Sequence, residues 1–129
     1  SKFLGEAMSM DSYLMTASGP VYGIPFVHKQ DEISPNLYRH AKPICGEVYE
    51  VTDDALADLD RLECHPRWYC REEAIFTFLA NGKTVDAWVY FMPWDNIAPD
   101  SRIYIIEDGV YGHYNRRFFY DKSTNLVKG

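Results

Sequence analysis

Ala74-Ile75-Phe76-Thr77-Phe78-Leu79, then Ala80-Asn81-Gly82-Lys83, then Thr84-Val85-Asp86-Ala87-Trp88-Val89-Tyr90-Phe91 is the stretch that settles the fold class. Both arms are rich in β-branched and aromatic residues, which suit a pleated, half-buried surface. The Asn81-Gly82 pair between them accepts the positive φ angles of a tight hairpin turn. Upstream, Ile44 to Val51 reads as another strand, ended by Thr52-Asp53-Asp54. Phe3 to Ala7 and Tyr13 to Ala17 read as short strands around a polar turn at Ser9 to Ser12, and Ile103 to Ile106 as a strand stopped by Asp108-Gly109. Ser18 to Gln30 and Pro93 to Ser101 carry Gly and Pro at irregular intervals and read as loops. One helix is predicted, from Asp53 to Glu63. Thr52 or Asp53 caps it, Asp53 and Asp54 complement its dipole, and Pro66 closes it by barring helical backbone at His65. Short strands around one main embedded helix define an α+β class, a small mixed β-barrel or curved sheet.

The chain has 129 residues, with no internal repeat or linker, so a single domain over residues 1–129 is expected. Thirteen Lys and Arg against nineteen Asp and Glu leave a net charge of -6. That balance argues against a nucleic-acid surface, which needs clustered cations to displace counterions from phosphate. The longest apolar run, Ala87 to Trp94, is far too short to span a bilayer, and no charged-then-apolar leader opens the chain. A cytoplasmic monomer is the expectation. Cys45, Cys64 and Cys70 are an odd set, which favours reduced thiols over a disulfide framework. Cys64, His65 and Cys70 lie close together, but no second ligand pair accompanies them, and no metal site is expected.

Periodicity on the predicted helix singles out Glu63. Leu56, Leu59 and Leu62, with Ala55, form the apolar side, and Glu63 falls four residues after Leu59 and seven after Leu56. It also occupies the last turn, where the helix dipole opposes another anion. Partial burial and the adverse dipole both favour the protonated carboxyl, the property a group needs to accept and return a proton. The plainer alternative makes Glu63 an ion-pair partner of Arg67 or Arg71.

Gly46-Glu47-Val48-Tyr49-Glu50-Val51, Leu59-Asp60-Arg61-Leu62-Glu63-Cys64-His65-Pro66 and Trp68-Tyr69-Cys70-Arg71 together resemble the central motif of the gamma-glutamylcyclotransferase-like, or AIG2-like, proteins. Within that superfamily the resemblance is closest to the gamma-glutamylaminecyclotransferases. Their E-x-x-P-x-x-Y-x-R arrangement is similar to Glu63 through Arg71, and their carboxy-terminal G-x-x-G-x-x-Y-N segment to Gly109 through Asn115, one residue shorter here. The resemblance implies that Glu63 is the catalytic glutamate and that Tyr69 and Tyr114 contact substrate. Trp68 and Tyr90 are further candidates for the pocket wall, each equally readable as an aromatic core residue. Family members open with a strand leading into a Y-G-x-L loop, whereas this sequence starts at what resembles the segment after it. The expectation is a domain whose first strand and loop are missing from the sequence.

The implied chemistry is cyclisation of a gamma-glutamyl amide, such as gamma-glutamyl-ε-lysine, to 5-oxoproline with release of the free amine. No cofactor is needed, because nucleophile and electrophile belong to one molecule. A cyclotransferase for other gamma-glutamyl substrates and a non-catalytic small-molecule-binding module of the same fold are the alternatives. A cysteine nucleophile at Cys64 is disfavoured, since a helix carboxyl end destabilises a thiolate.

Overall fold

The computed structural model describes residues 1–18, 24–110 and 119–128. Its strands are β1 (Lys2–Ala17), β2 (Pro25–His28), β3 (Lys42–Glu50), β4 (Cys70–Phe78), β5 (Thr84–Phe91), β6 (Arg102–Ile105), β7 (Phe119–Asp121) and β8 (Leu126–Lys128). Among the described residues a single α-helix, α1 (Asp53–Leu62), follows β3, and short 3-10 turns lie at Gln30–Glu32, Pro35–His40 and Trp94–Asn96. All strand pairs are antiparallel. They form a curved, unclosed sheet in the order β5-β4-β1-β6-β7-β8, with β2 and β3 also pairing to β1. The α+β expectation holds.

The hairpin of β4 and β5 forms as expected, with Thr77 opposite Thr84 and Arg71 opposite Tyr90. Gly82 takes φ +72° at the turn, and the Phe78 amide donates to the Lys83 carbonyl at 2.8 Å. β4 begins earlier than its apolar pattern suggests. Arg71, Glu72 and Glu73 belong to the ladder, their charges carried by outward or paired side chains.

Two expectations change. The polar run Ser9 to Ser12 is not a turn but a bulge inside one long strand, where β1 slips register against β3 between Met8 and Ser12. Ser9 is buried there. Its hydroxyl accepts from the Ile44 amide at 2.8 Å and donates to the Asp11 carbonyl at 2.6 Å, taking the place of a ladder bond. Within the predicted loop Ser18 to Gln30, Pro25–His28 pairs with Leu14–Ala17.

Side-chain alternation along the second half of β1 feeds two apolar clusters. Leu14 joins Phe26, Leu37, Met92, Trp94, Ile103, Ile105 and Tyr120. Met15 and Ala17 join Ala7, Ile44, Ala74, Phe76 and Ile106. Inside the first lies His28, fully buried. Its Nδ1–H donates to the Met92 carbonyl at 2.9 Å and its Nε2 accepts from the Thr16 hydroxyl at 2.8 Å, so both ring nitrogens are satisfied in the neutral form. Desolvation pushes the imidazole down to about 4, assisted by the Lys122 charge and opposed by the Met92 bond. At the second cluster, Gly109 takes φ +71°, and a Cβ there would strike the Pro43 carbonyl. This close approach lets the Gly109 carbonyl accept from the Cys45 amide at 3.0 Å on the outer edge of β3.

Candidate active site

The chain leaves β3 into α1 through Thr52, whose hydroxyl accepts from the Ala55 amide at 3.1 Å. α1 then ends in a way the sequence did not announce. Cys64 adopts φ +52°, the His65 amide bonds back to the Asp60 carbonyl at 2.8 Å, and the Cys64 amide to the Arg61 carbonyl at 3.2 Å. This is a Schellman reversal with a non-glycine residue in the left-handed position. The helix therefore stops at Leu62, with Glu63 as C-cap, before Pro66 can act.

Glu63 is half-buried and lines a cavity of about 880 Å³, within the size range of small-molecule pockets. Tyr69, ahead of β4, and Tyr90, on β5, line the same cavity. Burial raises the Tyr69 phenol first, and the Glu63 charge adds to it. Burial also raises Tyr90 well above the ordinary phenol range, reinforced mainly by Asp60 and less by Glu63. Glu63 is thus close enough to act electrostatically on two neutral phenols. Leu56 and Leu59 line the cavity, but Leu62 is 74% exposed and turns away from it, and no residue of α1 is fully buried. The apolar stripe covers an open hollow, not a closed core.

Arg71 does not pair with Glu63. Its Nε donates to Asp60 Oδ1 at 2.8 Å and its Nη2 to Oδ2 at 3.0 Å, a two-pronged fork. Tyr90 also donates to Asp60 Oδ1, at 2.6 Å, and the Arg71 guanidinium lies 4.2 Å from the centre of the Trp88 ring. These donors hold the Asp60 carboxyl below the usual carboxylate range, the Arg71 bond contributing most. Among the described residues, Glu63 has neither an ion-pair partner nor a side-chain hydrogen bond.

Trp68, a pocket candidate from sequence, does not line the cavity; Trp88 does. The Trp68 carbonyl instead accepts from the Asn96 side chain at 2.7 Å. Tyr114 and most of the carboxy-terminal motif lie outside the described residues. The Cys64, His65 and Cys70 cluster gives its imidazole to the backbone, His65 Nδ1 accepting from the Arg71 amide at 3.0 Å. The sequence reading missed Asp60 and Trp88. Trp88 was accessible through hairpin register, because pairing Phe78 with Lys83 across Asn81-Gly82 puts Arg71 opposite Tyr90 and Glu73 opposite Trp88; Asp60, outside the hairpin, was not.

The cavity walls also carry backbone information. Every residue from Ile44 to Val51 and from Val85 to Tyr90 borders the space. A hollow lying on one face of a strand would meet alternate residues only. Consecutive contact means that backbone as well as side chains border it, and among the described residues β5 pairs only with β4, and β3 beyond Cys45 only with β1.

The curved, unclosed sheet carries on the wall of its hollow a carboxylate that is unpaired among the described residues, and comparison with known proteins identifies the group. Residues 5–113 match the family described as gamma-glutamyl cyclotransferase, AIG2-like, and the chain belongs to that family. A protein of Methanocaldococcus jannaschii named "putative gamma-glutamylcyclotransferase" is 35% identical over 114 residues, covering 88% of this chain and 79% of its own. A Drosophila melanogaster protein under the same description is 32% identical over 92 residues, covering 71% of this chain and 53% of its own. The crystal structure of an AIG2-like protein from Mus musculus shares the fold with a TM-score of 0.59 at 24% identity, over 78% of this chain and 63% of that one.

Proposed function

We propose that the protein is a cofactor-independent gamma-glutamylamine cyclotransferase, with Glu63 as general acid and base and Tyr69 and Tyr114 as substrate contacts. The observation that carries this reading is the Glu63 carboxylate, unpaired among the described residues, lining an 880 Å³ cavity beside two phenols. In the reaction Glu63 accepts a proton from the substrate α-ammonium. The freed amine attacks the γ-carbonyl carbon, forming the ring C–N bond and a tetrahedral oxyanion. Collapse restores the carbonyl and breaks the bond to the leaving amine, which takes the proton back from Glu63. The ring nitrogen gives up its second proton through the emptied carboxylate, so that the lactam amide leaves neutral and the amine as an ammonium. Such proton transfers contribute about 10²–10⁴-fold. Holding the reacting atoms close contributes more where the geometry is good, with effective molarities of about 10⁵–10⁸ M.

The charge of the cavity supports an amine over an amino acid as the leaving group. Glu47, Glu50, Asp53, Glu63 and Asp86 line it, and no Lys, Arg or His does so among the described residues. A gamma-glutamyl dipeptide would bring a second carboxylate into this field; an amide of a diamine or of the lysine side chain brings an ammonium. The edges of β3 and β5 that carry no further strand among the described residues support the remaining part of the proposal, that a further strand with a Y-G-x-L loop seats between them. Its backbone N–H groups would face the oxyanion, a major source of catalysis in acyl chemistry.

Glu63→Gln keeps the shape and removes the proton carrier. Release of 5-oxoproline from gamma-glutamyl-ε-lysine should fall by at least about 10²-fold, with the circular dichroism spectrum unchanged. Undiminished turnover in that variant would exclude Glu63 as the acid–base group.

A further inference from the structure

Glu63 shares its cavity with Glu47 and Glu50 of β3, Asp53 of α1, Tyr69 ahead of β4, and Asp86 and Tyr90 of β5. None of these is a cation. The Arg71 guanidinium, on the strand next to Tyr90, is claimed on every side. Both prongs go to Asp60, its face lies over Trp88, and Asp60 is held in turn by the Tyr90 hydroxyl. Asp60 and Glu63 lie one helical turn apart on the same element, and Tyr90 is influenced by both carboxylates. The start of β4 and the residue ahead of it also meet the end of α1 through their backbone, the Arg71 amide donating to His65 Nδ1 at 3.0 Å and the Tyr69 amide to the Glu63 carbonyl at 3.2 Å.

We infer that Asp60 and Arg71 are a positioning pair for Glu63: the fork pins the last turn of α1 to the β4–β5 hairpin and keeps the guanidinium away from the working carboxylate. This deepens the reading of Glu63 as acid and base and rests on it. Removing the Asp60 charge frees Arg71 to pair with Glu63, which favours the Glu63 anion and makes it a poorer proton donor to the leaving amine. Removing the Arg71 charge leaves the Asp60 anion uncompensated one turn from Glu63, which favours the Glu63 acid. The two single variants therefore act in opposite directions, which a purely structural role would not produce.

The test is the pH dependence of 5-oxoproline release from gamma-glutamyl-ε-lysine by the full-length protein and its variants. In Asp60→Asn the acid limb of kcat/KM moves to lower pH by about one unit, and kcat falls. In Arg71→Gln the limb moves to higher pH. In the double variant Asp60→Asn/Arg71→Met the limb returns to its wild-type position, because the freed charge is gone. A wild-type limb in either folded single variant, or shifts of the same sign in both, overturns the inference. Should Asp60→Asn not fold, the upward shift in Arg71→Gln decides alone. Glu63→Gln run in parallel separates the two readings: an active Glu63→Gln sinks the acid–base role itself, whereas an inactive one beside unshifted Asp60 and Arg71 variants sinks only the positioning pair.

Discussion

The two apolar clusters share β1 but are built to different specifications. The cluster around Leu14 is closed: Leu14, Leu37, Met92, Ile105 and His28 have no exposed surface, and Trp94 packs edge-on against the His28 ring at 5.0 Å. The cluster around Met15 and Phe76 is bordered by half-buried Val48, Val85, Ala87 and Val89, and several of its members form the floor of the cavity. Side-chain alternation in one strand thus sends Leu14 to a sealed core and Met15 to the floor of the cavity. The difference teaches that the sealed packing and the candidate site are separated across the sheet, with the helix end that carries Glu63 held at the open side by polar contacts instead of burial.

The largest expected effect comes from opening the sealed side. Leu14→Ala removes buried methyl groups from a site that cannot collapse onto a neighbour and should cost about 2–5 kcal/mol in urea unfolding. Val85→Ala, on the half-open side, should cost clearly less, since part of its surface is exposed already. Equal losses at the two positions would erase the distinction between the clusters.

The next effect is pH-dependent and also belongs to the sealed side. The His28 imidazole titrates at about 4 in the folded protein against 6.5 when unfolded, so between those values the unfolded chain binds the extra proton. The stabilisation is therefore complete above about pH 6.5, is lost as pH falls towards about 4, and amounts to about 3 kcal/mol. His28→Gln retains a donor for the Met92 carbonyl and an acceptor for Thr16 but does not titrate. Urea midpoints measured across this window should lose most of their slope in the variant; an unchanged slope would assign it to other groups.

How far the sequence carried these features depends on the range of the interactions. The β4–β5 hairpin and α1 were legible because turn chemistry at Asn81-Gly82 and the cap at Thr52 act within a few residues. Glu63 could be singled out from helical spacing alone, and its place on the cavity wall agrees with that spacing. The long β1 was not legible, because Ser9 looks like a turn residue until its hydroxyl is seen to meet the Ile44 amide from 35 positions away. The end of α1 was assigned to Pro66, while the actual reversal uses Cys64, a residue with no particular preference for positive φ. Asp60 went unnoticed because its partners lie 11 and 30 residues onward, brought to it only by the register of a hairpin it does not belong to.

The smallest effect probes how the open side is held. With no buried residue of its own, α1 is fixed at one end by the Thr52 cap and at the other by the Schellman turn and the Asp60–Arg71 fork. Thr52→Ala removes the acceptor for the Ala55 amide and should cost about 1 kcal/mol. The cost should fall where the bond is. Amide hydrogen exchange in the first turn of α1 should accelerate by about five-fold, the exchange rate following the opening equilibrium of that turn. Exchange at Leu14 and Ile105 should stay nearly unchanged, since the sealed cluster makes no use of the cap. Acceleration spread evenly over both regions would mean that the helix and the Leu14 core open as one unit, and that the half-open side is no more independent of the sealed one than β1, their common strand, would suggest.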